Sequence, residues 1–194
     1  EYFEDNNLFL LPASNSEWVV VKGEGYIDIP DINSEPELIS SKLDFELESF
    51  KVGISEMQYL DYAFVHGITQ KFLEDETIEL TVRGRKRTPT FNYYVNNIEV
   101  QCRGVQTEVD GGYEGKDSLT LIEAKSSKIK NEIIRQLYFP FRKWSLDITK
   151  PVRNVFFQFE DTTKTLSFWE YGFENLNHYD SIYLVDSKKY RLTD

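Results

Sequence analysis

An α/β (α+β) fold is what this sequence predicts, on two observations. Extended-type apolar runs recur along the whole chain, and two segments between them carry helical spacing instead. A third observation bounds the size: 194 residues, 40% of them hydrophobic and 15% aromatic, can bury a sizeable core as one domain or as one domain with an extra lobe.

Residues 1–52 hold the extended stretches Leu8–Leu11 and Trp18–Val21 and a loop marked by Pro30, Asn33 and Pro36. No chemistry is legible there, and the segment reads as a peripheral sheet or a partner-facing lobe beside a core of residues 53–194. Ser55 can cap a helix reaching Phe64, in which Met57, Leu60 and Phe64 recur at helical spacing. Ile78–Val82 alternates as a strand should, and Phe91–Val95 with Ile98–Cys102 reads as a hairpin turned at Asn96 and Asn97. Two more strands follow, Val105–Val109 and Leu119–Ile122, joined by a loop that Gly111, Gly112 and Gly115 punctuate. Ile129, Ile133 and Leu137 mark the buried stripe of a second helix, which Pro140 ends or kinks. Val155–Phe159, Leu166–Glu170 and Ile182–Val185 are further strands.

Composition excludes several classes. The single Cys102 allows no intrachain disulfide and no cysteine cluster for zinc, and reads as a small buried residue. His66 and His178 are the only histidines, and H-E-x-x-H is absent. No apolar run approaches the roughly 20 residues that span a bilayer, and nothing resembles a secretory signal, so a soluble, cytoplasmic protein is expected. The chain opens on Glu1 instead of methionine, as a numbering that starts inside a longer protein would. A net charge of -11 argues against nucleic acid as a partner, but the excess acid sits in residues 1–80. Cations cluster later, at Arg83, Arg85, Lys86 and Arg87 and again at Lys125, Lys128, Lys130, Arg135, Arg142 and Lys143. A basic strip on an acidic body is compatible with DNA binding, whereas acids folded against Arg83–Arg87 would make that cluster structural.

The chemistry concentrates between Glu108 and Lys125. Side chains two apart on a strand share a face, so Glu108 joins Asp110 and Glu123 joins Lys125. Acids that close repel one another unless a cation sits between them, and hard divalent cations take carboxylate oxygens. The patch reads as a magnesium site with a lysine beside it. Plainer readings stand next to this one. Asp110 could cap the glycine loop, Glu123 and Lys125 could be a surface ion pair, and Gln136 could border the core. A calcium loop of the EF-hand type is rejected, because Gly112 occupies the third ligand position.

Asp110, twelve intervening residues and then Glu123-Ala124-Lys125 resemble the D…(D/E)-x-K signature of the PD-(D/E)XK nuclease superfamily. With Glu108, Gly111-Gly112-Tyr113-Glu114 and Ile133–Pro140, the stretch is similar to one group of type II restriction endonucleases, although Val109 stands where the superfamily's name has proline. The resemblance implies a restriction-endonuclease-like core, a central mixed β-sheet flanked by helices, with extra N-terminal and C-terminal strands. It implies a Mg²⁺-dependent DNA endonuclease in which Asp110, Glu123 and the Ala124 carbonyl hold one or two Mg²⁺ and Lys125 serves the attacking water. It also brings Gln136 and Glu108 near the chemistry and lets Glu56 of the first core helix reach the metal region, although an acid in a first helical turn needs only the helix dipole to explain it. Arg83, Arg85, Lys86, Arg87, Lys128 and Lys130 would then grip double-stranded DNA, and a symmetric cut would favour a homodimer. Two other readings stay open: a sequence-nonspecific repair or recombination nuclease, and a non-catalytic nuclease-like nucleic-acid-binding module.

Overall fold

Period-2 alternation builds a sheet and two helical segments pack on its faces, in a computed structural model that describes residues 2–52 and 55–193. In chain order, helix α1 (Tyr2–Asp5) leads into strands β1 (Leu8–Pro12), β2 (Trp18–Lys22), β3 (Tyr26–Asp28) and β4 (Glu37–Ile39). Helices α2 (Glu56–Val65) and α3 (Ile68–Leu73) come next, then β5 (Glu79–Arg87), β6 (Phe91–Val95), β7 (Ile98–Cys102), β8 (Gln106–Glu114), β9 (Leu119–Lys125) and β10 (Asn131–Ile133). Helix α4 (Arg135–Asp147) precedes β11 (Val152–Glu160), β12 (Thr165–Phe173) and β13 (Ile182–Leu192).

The central sheet has seven strands in the order β4-β13-β12-β11-β9-β8-β5. Strands β5, β8 and β9 run antiparallel in turn, and α4 then carries the chain across to β11, which lies parallel to β9. A mixed sheet results, with β5 at one edge and β4 at the other. Strand β9 is central and covered on both faces, so Leu119 to Ala124 are all buried. One face meets α2 and α3, where Leu60, Ala63 and Phe72 pack against Ile122, Phe157 and Phe168. The other meets α4, where Leu137 packs against Phe156 and Trp169. Burying a phenylalanine such as Phe156 or Phe157 contributes about 1.5–3 kcal/mol each. The hairpins β1-β2 and β6-β7 close a further cluster on Tyr138 and Phe139 of α4.

Several elements match expectation. Ser55 caps α2 by accepting the Gln58 N–H, and Asn96 takes a positive φ of 52° in the β6-β7 turn. The buried stripe of α2, however, is Tyr59, Leu60 and Ala63, with Met57 exposed. Gly111 and Gly112 lie inside β8 instead of in a loop. A Cβ on Gly112 would stand 2.6 Å from Val82 Cβ, so Gly112 lets β5 approach closely, while one on Gly111 would meet Tyr113 and Leu60 of α2. The expected helix from Ile129 is also corrected. Asn131–Ile133 pairs with β3 as a strand, and α4 starts only at Arg135 and runs on through Pro140. Ladder bonds to a strand about a hundred residues away outweigh the local apolar spacing. The basic segment Arg83–Arg87, expected after a strand, is the second half of β5, bulged where Gly84 takes a φ of 87°. Among the described residues no helix is long and apolar enough to cross a membrane.

Candidate active site

The β8-β9 ladder ends at the pair Gly111 and Ile122, and just past it the two strands separate. Asp110 fills the gap: its Oδ2 accepts the Ala124 N–H at 2.9 Å, a bond that would otherwise fall to a backbone carbonyl. Arg83 holds the same residue from behind. Its Nε donates to the Asp110 carbonyl at 3.0 Å, while its two terminal nitrogens donate to both Asp61 oxygens of α2 at 3.2 and 2.5 Å. One guanidinium thereby ties α2, β5 and β8 together beneath Asp110.

Glu123 is buried, and its Oε1 accepts from Lys125 Nζ at 2.6 Å and from Gln136 Nε2 at 3.2 Å. Lys125 Nζ lies 3.2 Å from Glu132 Oε2 as well. Four side chains from β9, β10 and the first turn of α4 thus form one hydrogen-bonded cluster beside Asp110. Glu132 was not singled out in the sequence, because it reaches Lys125 only through the pairing of β10 with β3, which no local pattern announces. Glu108 lies at the margin and accepts from Arg85 Nε at 3.1 Å.

The charges crowd. Burial pushes the Asp110 carboxyl above its usual range; the Ala124 N–H and Lys125 pull it back, and Glu56 and Glu108 add repulsion. Both of those acids are therefore within electrostatic reach of Asp110. Burial likewise pushes Glu123 up to about 8, with Lys125 opposing and Asp110 and Glu132 reinforcing. For Lys125, burial works against the charge, but Glu123 and Glu132 hold its pKa above the usual lysine value.

Asp110 Oδ1 and Glu123 Oε2 accept no hydrogen bond among the described residues. Both are carboxylate oxygens, the donor chemistry magnesium takes while keeping several waters. No group of three His, Cys, Asp or Glu side chains among the described residues is gathered closely enough to hold a metal by itself. A cation held at these oxygens would take most of its coordination from water.

Most of the basic residues are engaged elsewhere. Arg83 is committed to Asp61 and Asp110, Arg87 donates to the Gly104 carbonyl, and Lys128 pairs with Asp31. Lys86 and Lys130 are exposed. Arg142 is only 4% exposed and lies over the Phe91 ring, so it leaves the expected surface strip, and Lys143 pairs with Asp147.

Fold and site together define an α+β protein with a mixed central sheet and a carboxylate–lysine cluster where two neighbouring strands part. Residues 21–191 match the family model described as Domain of unknown function (DUF6997), and the chain belongs to that family. No curated protein and no solved structure matches it.

Proposed function

We propose that this chain is a Mg²⁺-dependent DNA endonuclease with a restriction-endonuclease-like core, most simply one of the type II restriction kind acting as a cytoplasmic homodimer on double-stranded DNA. The observation that carries the reading is the convergence of Asp110, Glu123, Lys125 and Gln136 at the parting ends of β8 and β9. The succession of α2, α3, β5, β8, β9, α4 and β11 supports it, because it supplies two helices, three strands, a crossover helix and a parallel strand around that site.

Asp110, Glu123 and the Ala124 carbonyl would hold the metal, with Glu56 and Glu108 adding negative potential around it. When bound, Mg²⁺ lowers the pKa of a coordinated water and neutralises the scissile phosphate. Lys125, released from Glu123 as that carboxylate turns to the cation, would stabilise the charge that develops on the phosphate. Gln136 keeps Glu123 oriented, and the clamp of Arg83 keeps Asp110 in place.

The test is incubation of supercoiled plasmid with the protein and Mg²⁺. Discrete bands are expected, lost in Asp110→Asn and Glu123→Gln variants that still fold. A smear would mean the nonspecific nuclease. No cutting at any Mg²⁺ concentration would decide for the non-catalytic module instead.

A further inference from the structure

The N-terminal hairpin carries apolar side chains that the core does not use. Phe9, Leu11 and Val21 point inward and are buried, but the outward positions of β1 and β2 hold Leu10, Trp18 and Val20, where a solvated ribbon would carry polar residues. Trp18 is 56% exposed and Tyr26 of β3 is 55% exposed. Together with Asn131, Ile133 and Arg135 they line an open cleft of about 770 Å³. The Arg135 guanidinium stands 5.9 Å from the Trp18 ring centre, and its enclosed Nε has no hydrogen-bond partner among the described residues.

Arg135 also lines a smaller polar cleft with Glu108 and Gln136, and Gln136 bonds Glu123. The aromatic cleft and the cleft beside the candidate active site therefore share Arg135 as a common wall. We infer that this cleft binds unpaired nucleobases of the substrate strand beside the cut, by stacking on Trp18 and Tyr26 next to the Arg135 cation. The inference rests on the nuclease reading and adds to it a site for bases that leave the duplex beside the cut.

Three features favour this occupant over a protein partner. Aromatic faces with a guanidinium are the chemistry that stacks bases without regard to sequence. Asn131 adds an amide donor and acceptor, and among the described residues that line the cleft the only formal charge is positive. Stacking also attracts a strand without help from net charge, which suits a chain whose overall charge of -11 repels phosphates.

The experiment follows the fluorescence anisotropy of a dye-labelled oligothymidylate of about twelve nucleotides as protein is added in metal-free buffer, with a labelled blunt duplex of equal length as control. A rise with the single strand and not with the duplex is expected. Trp18→Ala and Tyr26→Ala should each weaken binding about tenfold, and Trp18→Phe should restore most of it. Trp18 is largely exposed, so its loss leaves the core intact. Equal binding of the oligonucleotide by wild type and Trp18→Ala overturns the inference. So does a shift in the sedimentation of the free protein on Trp18→Ala with unchanged oligonucleotide binding, which would make the cleft a protein surface. Duplex cutting without single-strand binding refutes the inference and leaves the nuclease reading standing. Single-strand binding without any cutting keeps the cleft and removes the nuclease.

Discussion

Asp110 is held by two groups that do no chemistry, the Ala124 N–H and the Arg83 guanidinium, so its position is a property of its neighbours. Arg83→Lys keeps the charge but loses the fork that spans Asp61 and the Asp110 carbonyl. Its expected cost is about 1–2 kcal/mol in urea denaturation, since the Arg83–Asp61 pair is partly solvated. In the nuclease reading it also slows cutting while leaving the salt dependence of DNA binding unchanged. A loss of salt dependence would instead make Arg83 a phosphate contact. Glu123 gives a pH signature. Its folded pKa of about 8 lies above the ordinary glutamate value of 4.5, so the native state binds protons more tightly than the unfolded chain. The metal-free protein should therefore gain stability as pH falls from 8 towards 4.5 and lose it again as pH rises through 8. Glu123→Gln should flatten that part of the curve and melt higher than wild type at pH 8, which thermal melts in chelator would show. Glu123 beside Lys125 was legible because strand alternation is local, whereas Gln136 came with the resemblance, the helical spacing from Ile129 having failed at β10. Arg83 was read as a cation for DNA because the acid that claims it, Asp61, lies on a different element.

At the scale of elements, β8 shows what a glycine inside a strand is for. Gly112→Ala would put a methyl group against the branched Val82 side chain, with no flexible tail to swing aside, and about 1–3 kcal/mol of destabilisation is expected in denaturant titration. If the variant is as stable as wild type, β5 can shift and the close approach is not required. The sequence made Gly112 look like a loop residue, since the close approach comes from a partner strand. Helix α2 was legible because its Ser55 cap and apolar spacing are contiguous. The start of α4 was not, since β10 becomes a strand only by pairing with β3. Pro140 did not end α4: it has no N–H for the Gln136 carbonyl, yet its buried ring lines the small pocket under Glu123.

For the whole molecule, the basic residues and the sheet edge make one argument. Strand β5 is the edge strand next to β8, and Arg85 and Arg87 lie on it, exposed. The Arg85–Glu108 pair is solvated and holds Arg85 only weakly, so a phosphate can compete for it. Replacing Arg85 and Arg87 by alanine should weaken DNA binding for every sequence and flatten log K against log salt by about 0.9 per lost contact. An unchanged slope would place the DNA away from β5. At the far edge of the same sheet, Thr193 donates to the carbonyl of Ile39, 154 residues earlier, and β4 pairs only with β13. On the ribosome, β4 emerges long before the strand it needs. Closing so long a loop is slow, so the sheet stays unfinished until β13 has been synthesised. Until then the nascent chain carries an open strand edge, and chaperones have that interval in which to shield it.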